Sequence, residues 1–162
     1  MDRRKRQKSD RTSQNALSVK GRPQIHIHDS QKDLKLSKKA IRSLVKEVLA
    51  YLGVNHSEVS FYFVAQKKIC ALHEQFFQDP SPTDCISFPI DNEHLGEIFI
   101  CPKAALTFDE KNPYREIALY MIHGILHCLG FDDLEPKAKR AMRKKEKSCM
   151  SLIEKRGITL AL

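Results

Sequence analysis

The feature that most constrains this chain is its segment 117–129, which carries no formal charge. A helix that is apolar on all sides is buried in a globular protein, so the segment predicts a helix inside the core. His123 and His127 are the strongly polar exceptions within it. Residues four apart face the same side of a helix, with Cβ atoms about 5–6 Å apart. Two imidazoles in this arrangement can bind one metal ion.

The turn after this helix can supply a third ligand. Gly130 favours a left-handed turn that ends the helix, and Asp133 follows shortly afterwards. Its carboxylate can complete the metal site, or it can cap the next helix, which Pro136 helps to start. The two histidines also have an alternative role as core side chains bonded to backbone carbonyls. The pattern favours a metal site formed by His123, His127 and Asp133.

Positive charge is concentrated at two places in the 162-residue chain. Residues 1–22 carry eight Lys or Arg and two Asp, and residues 134–156 carry nine Lys or Arg and three Glu, so each segment has a net charge of +6. Such segments favour a polyanionic partner, first of all nucleic acid, although solubility is an alternative role. The last helix offers as candidate RNA-binding residues Lys137, Lys139, Arg140, Arg143 and Lys144.

Cysteine usage and hydropathy predict the setting of the protein. The five cysteines are odd in number and form no CxxC pair, which predicts reduced thiols and a cytoplasmic location. No apolar run is long enough to span a membrane, so we expect no membrane partner. Residues 1–22 have almost no apolar content and predict a disordered tail. Residues 23–162 then form a single domain.

Local patterns predict an α+β fold, in which helices pack on a small mixed β-sheet and the metal-binding helix lies in the core. We expect the first helix to be capped by Ser37, and the helix at residues 66–77 to bury Ile69, Leu72 and Phe76. Asn112 is expected to cap the histidine helix. The predicted strands are residues 24–28, 59–64, 84–90 and 96–100, and the predicted helices are 37–52, 66–77, 102–110, 112–129 and 134–156.

An acidic residue lies on the apolar side of the last helix. Ala138, Met142, Cys149 and Ile153 form the inward stripe of that helix, and Glu146 falls on the same stripe. A histidine that binds a metal usually donates its other ring N–H to an acceptor, which Glu146 can provide. The alternative is that Glu146 lies at the edge of the stripe and pairs with a nearby lysine.

The predicted site indicates hydrolysis. Three protein ligands leave a fourth position for water, whose pKa a zinc ion lowers toward about 7. Zinc peptidases of the HExxH type carry a glutamate after the first histidine as general base, and here that position is Gly124. The basic segments favour a phosphodiester as substrate instead, because they can hold its negative charge.

Three segments resemble one known family, the YbeY endoribonucleases. His123-Gly-Ile-Leu-His127-Cys-Leu-Gly130-Phe-Asp-Asp133 resembles the metal signature of that family, HGxLHxxGxDH. Thr83-Asp-Cys-Ile-Ser87-Phe-Pro89 is similar to its TDVLSFP strand, and Leu95-Gly-Glu-Ile is similar to its LGDI strand. Met142 and Glu146 match a Met…Glu pair in the helix after the metal signature. The resemblance extends over residues 24–156.

This resemblance implies a single-strand-specific, zinc-dependent endoribonuclease. The implied roles are late 16S ribosomal RNA processing, maturation of the RNA 3′ end and ribosome quality control, with precursor 16S rRNA and the small ribosomal subunit as partners. One Zn²⁺ would be held by His123, His127 and Asp133. Thr83, Asp84 and Ser87 would line the neighbouring strand and shape the cleft, although structural roles are an alternative for these three residues.

Two departures from the family pattern concern activity. Asp133 stands where the family has a histidine ligand, and Phe77 aligns with an arginine that is associated with activity. Arg115 or a basic residue of the last helix is a candidate substitute for that cation, and Glu146 is a candidate for supporting the metal. The alternative function is a non-catalytic RNA-binding ribosome-assembly factor with a structural zinc. A metallopeptidase is a third hypothesis.

Overall fold

The computed structural model describes residues 21–55 and 58–162, so the predicted disordered tail lies almost wholly outside the described residues. The described residues form a four-stranded sheet with helices packed on it, which confirms the predicted α+β fold. The elements are β1 (Gln24–Asp29), α1 (Lys38–Tyr51), β2 (Glu58–Phe63), α2 (Gln66–Phe77), β3 (Cys85–Pro89), β4 (His94–Ile100), α3 (Pro102–Phe108), α4 (Pro113–Cys128) and α5 (Pro136–Lys155). None of the described helices combines the length and apolar character needed to cross a bilayer.

The sheet has the strand order β1-β2-β4-β3. β2 is parallel to both β1 and β4, whereas β3 is antiparallel to β4 and forms one edge of the sheet. The turn between β3 and β4 is held by the Asp91 carboxylate, which accepts the backbone N–H groups of Glu93 at 2.8 Å and His94 at 2.7 Å. An edge strand is paired on one side only, so β3 can border an open cleft.

α4 is buried in the core, as its lack of charge predicts. It packs against β3 and β4 on one side and against α3 and α5 on the others. The side chains of Ile117, Met121, Ile122 and Ile125 are fully buried. Burying this much apolar surface fixes α4 relative to the sheet, because protein cores are close-packed.

α1 and α2 follow their predicted positions, with one exception in the core. The Ser37 hydroxyl accepts the backbone N–H of Ala40 at 3.2 Å, which confirms the predicted cap of α1. Ile69 and Leu72 of α2 are buried, but Phe76 is 51% exposed, so its predicted burial was wrong. Phe76 lies in the last turn of α2, where its ring contacts the Phe88 ring of edge strand β3 at 4.8 Å and otherwise faces solvent.

The starts of α4 and α5 differ from prediction in their caps. Asn112 is the N-cap of α4, but its side chain makes no capping hydrogen bond. The N-cap of α5 is Glu135, because Pro136 occupies the first turn, so the alternative role of Asp133 as a helix cap was wrong. Gly130 has the predicted left-handed conformation, with φ +94°. This turn redirects the chain so that Asp133 lies next to the histidines of α4.

Candidate metal centre

The two histidines of α4 converge on one point. Their Nε2 atoms are 2.9 Å apart, and their ring centroids are 4.5 Å apart with planes at 82°. The side chains of His123 and His127 are 30% and 28% exposed respectively, so solvent can reach them. These are therefore not buried core histidines that are satisfied by backbone carbonyls.

Asp133 completes a triangle of ligand atoms. Its Oδ2 lies 3.8 Å from Nε2 of His123, and its Oδ1 lies 3.9 Å from Nε2 of His127. The ligand atoms of the three residues lie within 4.8 Å of one another, and no other such group of three occurs among the described residues. Two imidazoles and a carboxylate are a donor set that zinc accepts, so the residues present fit a single divalent ion.

Glu146 of α5 supports this arrangement from the other side of His123. Its Oε1 lies 2.5 Å from Nδ1 of His123, and the Glu146 side chain is only 16% exposed. When Nδ1–H donates to this carboxylate, Nε2 of the neutral ring keeps its lone pair for a metal. The same contact orients the ring. The partner of Glu146 is thus a histidine rather than a lysine.

The electrostatics of His123 are set by nearby carboxylates. Burial lowers the pKa of His123, but the hydrogen bond from the ring to Glu146 and the negative charges of Glu146, Asp133 and Asp84 outweigh burial and raise it. The site therefore favours positive charge at this position. A divalent cation held by His123, His127 and Asp133 would place positive charge beside the same carboxylates.

Gly124 explains why α4 can lie so close to the sheet. A Cβ atom at this position would lie 2.6 Å from Cγ2 of Ile98 and 3.1 Å from Oγ of Ser87. Ile98 is fully buried on β4, so it has little room to move away. The residue after the first histidine therefore faces the sheet and cannot be the glutamate base of a zinc peptidase.

Two cavities flank His123. The α2-side cleft, of about 380 Å³, lies between α2, β3 and α4 and is lined by His73, Phe77, Thr83, Cys85, Ile86, Ser87, Pro89, His123 and His127. The α5-side cavity, of about 200 Å³, lies between α4 and α5 and is lined by Asp84, Leu119, Tyr120, His123, Asp133, Lys139, Met142, Arg143 and Glu146. The ring of His123 borders both, so the metal centre lies at their boundary.

The remaining predicted residues divide between these cavities and more distant surfaces. Thr83 and Ser87 line the α2-side cleft, and Asp84 lines the α5-side cavity. Of the five candidate cations of α5, Lys139 and Arg143 line the α5-side cavity, whereas Lys137, Arg140 and Lys144 line neither cavity.

Arg115 lies apart from the histidines. It belongs to the first turn of α4, about 12 Å along the helix axis from His123. Its Nε donates to Oε1 of Glu154 at 3.2 Å. Arg115 therefore lines neither of the two cavities that His123 borders, although it lines a third cavity together with Arg143 and Glu146.

Sequence reasoning missed two residues beside the centre. Tyr120 precedes His123 by three positions, so helical spacing alone places it on the same side of α4. His73 reaches the α2-side cleft through the packing of α2 beside β3, for which the sequence carries no local signal.

Burial raises the pKa of Cys85 and Cys128 to about 12, so these neighbouring thiols stay protonated at neutral pH.

Comparison with known proteins identifies the relatives of this site. The sequence model of a family described as Endoribonuclease YbeY matches residues 26–154. This chain belongs to the YbeY endoribonuclease family. The resemblance inferred from the three sequence segments is thereby confirmed.

Individual relatives match most of the chain. The endoribonuclease YbeY of Protochlamydia amoebophila is 41% identical over 140 residues, which cover 81% of this chain and 93% of that protein. The endoribonuclease YbeY of Chlamydia pneumoniae is 36% identical over 149 residues, 84% of this chain and 94% of that protein. The solution structure of TM1509 from Thermotoga maritima matches with a TM-score of 0.59 at 26% identity, covering 82% of this chain and 92% of that one.

Proposed function

We propose that this chain is a single-strand-specific, metal-dependent endoribonuclease that acts in late 16S ribosomal RNA processing. Maturation of the RNA 3′ end and ribosome quality control belong to the same proposal. It is supported by membership of a family whose relatives are named endoribonucleases. The observation that carries it is the convergence of His123, His127 and Asp133 at the boundary of two cavities. The five unpaired cysteines fit a cytoplasmic location.

His123, His127 and Asp133 would hold one ion, and zinc suits this donor set. Such an ion supplies Lewis acidity toward a phosphoryl oxygen and activates water at neutral pH. Glu146 fixes the ring of His123 and its tautomer through the Nδ1 contact. The carboxylate of Asp133 adds negative charge to the ligand set, which makes the ion a weaker Lewis acid than a third histidine would.

RNA is the proposed substrate because of the charge around the site. Residues 134–156, which include α5, carry a net charge of +6 and directly follow Asp133. Phosphate neutralisation by such a segment contributes affinity that falls steeply with salt. The more specific partners that we propose, precursor 16S rRNA and the small ribosomal subunit, are those implied by the resemblance to the family.

The proposal is tested by RNA cleavage and metal content together. We expect the purified wild-type chain to cleave single-stranded RNA, and His123→Ala or removal of metal by a chelator to abolish cleavage. Asp133→Ala should lose bound metal, whereas His94→Ala serves as a matched control because His94 is outside the ligand group. Cleavage that persists in metal-stripped His123→Ala would disprove the mechanism.

A second candidate function is favoured by the α2-side cleft. Phe77 stands at the position that aligns with an activity-associated arginine, and no Lys or Arg of residues 21–55 or 58–162 lines this cleft. A ribosome-assembly factor that binds RNA around a structural zinc would fit these features. It predicts salt-sensitive binding of ribosomal RNA without cleavage above a metal-free control.

A further inference from the structure

His123 is shared by two cavities of different chemistry. The α2-side cleft measures about 380 Å³ and the α5-side cavity about 200 Å³. Because the same imidazole borders both, a ligand at the metal centre meets one cavity on each side. A substrate made of linked groups can occupy both cavities at once if each group matches the chemistry of the cavity that it enters.

The α2-side cleft offers aromatic and hydroxyl groups, and none of the described residues that line it is a Lys, Arg, Asp or Glu. Phe77 is 55% exposed, and its ring lies 5.6 Å from the ring of His73. Thr83 and Ser87 add hydroxyl groups that can donate or accept hydrogen bonds. An unpaired nucleobase has a flat face that stacks on such rings and polar edges that bind such groups. A phosphate in this cleft would meet no Lys or Arg side chain of the described residues.

The α5-side cavity offers two cations that have no hydrogen-bond or ion-pair partner among the described residues. Lys139 and Arg143 are four residues apart, so they project from the same side of α5. Neither side chain takes part in a hydrogen bond or ion pair within residues 21–55 and 58–162. Arg115 differs from them, since it is paired with Glu154. Lys139 and Arg143 are therefore available to an anion that enters the cavity.

The carboxylates that line the same cavity have other partners. Glu146 contacts Nδ1 of His123, and Asp133 faces Nε2 of both histidines. Oδ1 of Asp84 accepts the backbone N–H of Cys85 at 2.7 Å. Each of these carboxylates thus has a partner other than Lys139 and Arg143, so the two cations keep their donor groups for a ligand.

We propose that one nucleotide of single-stranded RNA binds across His123, with its base against Phe77 in the α2-side cleft and its phosphate against Lys139 and Arg143 in the α5-side cavity. This proposal rests on the RNA-directed function above and adds two subsites to it. The Arg143 guanidinium can bind two phosphate oxygens at once, and Lys139 adds a compact charge. The arrangement requires an unstacked base, so paired RNA does not fit it.

Charge removal tests the phosphate subsite. The affinity of the full chain with zinc for a short oligouridylate is measured against KCl concentration for wild type and two double variants. Lys139→Gln with Arg143→Gln removes two charges that line the cavity, and Arg140→Gln with Lys144→Gln removes two charges at the same spacing outside it. We expect the salt dependence, as log affinity against log salt, to weaken by about 1 more in the first variant than in the second. Equal salt dependences in the two variants would overturn the phosphate subsite.

Removal of the aromatic ring tests the base subsite. Phe77→Ala should weaken oligouridylate binding about ten-fold without changing its salt dependence, and Phe77→Trp should retain the affinity of wild type. The same variants are then measured with an oligonucleotide whose central bases are missing. Phe77→Ala should not weaken binding of that abasic ligand. An equal loss with both ligands, or no loss with either, would overturn the base subsite.

These measurements report binding, so they are separable from the proposed function. Far-ultraviolet circular dichroism confirms that each variant is folded. If the variants show both binding effects but the wild-type chain cleaves no RNA, the two subsites are supported and the endoribonuclease function is disproved. A chain that cleaves RNA but whose binding is insensitive to both sets of variants overturns the subsites and leaves the function intact.

Discussion

α4 and α5 meet at the metal centre, but they are built in opposite ways. α4 has no charged residue from Ile117 to its end, and most of its surface is covered by the sheet, α3 and α5. α5 is strongly basic and buries only a stripe, which consists of Met142, Cys149, Met150 and Ile153. The two helices are nevertheless joined at the site by the contact between His123 and Glu146.

The difference means that α4 sets the position of the two histidines, whereas α5 sets the charge around them. Side chains in a close-packed core have little freedom, so α4 holds its two histidines in a fixed mutual geometry. α5 surrounds that geometry with groups that act through charge, namely Glu146 toward the metal and Lys139 and Arg143 toward the α5-side cavity. Substitutions in α4 should therefore affect folding first, whereas substitutions on the exposed side of α5 should affect binding first.

The sharpest test of this comparison is loss of packing in α4. Met121 is fully buried, so Met121→Ala should lower the free energy of unfolding by about 2–5 kcal/mol through lost contacts and a cavity. Lys144→Ala on the exposed side of α5 should change it by less than about 0.5 kcal/mol. Urea unfolding measures both. Similar losses in the two variants would contradict the distinction between the helices.

Adding volume to α4 should have the next largest effect. A Cβ atom at position 124 would lie only 2.6 Å from Cγ2 of Ile98, and Gly124→Val adds further carbons beyond that atom. We therefore expect overpacking to lower the free energy of unfolding by about 1–3 kcal/mol. Arg140→Val introduces the same side chain at an exposed position of α5 and should cost less than about 1 kcal/mol. Thermal unfolding compares the two variants. A Gly124→Val protein as stable as wild type would show that α4 can move away from β4.

The contrast between the helices could be predicted from sequence because it depends on local charge and periodicity. Segment 117–129 has no charge, and the apolar stripe of α5 repeats with helical spacing. The burial of Phe76 was predicted from the same kind of periodicity and was wrong. Periodicity identifies the side of a helix that faces the core, but not where the sheet beneath it ends, and Phe76 lies at the edge formed by β3.

The candidate site was predictable only in its local part. The His123 and His127 spacing is a helical property, whereas the choice of Asp133 between a ligand and a cap depends on where α5 begins. The sequence predicted a mixed sheet but not its order, in which β4 lies between β2 and β3. That order puts β3 at the edge and opens the α2-side cleft, so His73 could not be associated with His123 from sequence.

The contact between His123 and Glu146 joins the two helices, so its loss should affect metal binding. Glu146→Gln keeps an oxygen that can accept from Nδ1 of His123 but removes the negative charge, so we expect zinc affinity to fall about 10-fold, and up to about 100-fold in Glu146→Ala. Competition with a chromogenic chelator measures the affinity. Glu154→Gln on the same helix is the matched control and should bind zinc like wild type. A Glu146→Ala protein with unchanged affinity would show that α4 alone determines the metal site.

The smallest effect is expected where the two helices meet in solvent. The Arg115 and Glu154 side chains are 48% and 54% exposed, and an ion pair at that exposure contributes less than about 1 kcal/mol. Arg115→Ala should therefore leave the unfolding midpoint nearly unchanged and, because Arg115 lies about 12 Å along α4 from His123, leave the rate of RNA cleavage unchanged too. Single-turnover cleavage measures the rate. If the rate fell ten-fold while stability stayed constant, Arg115 would have to leave Glu154 to contact the substrate, and the RNA would then extend over the first turns of α4.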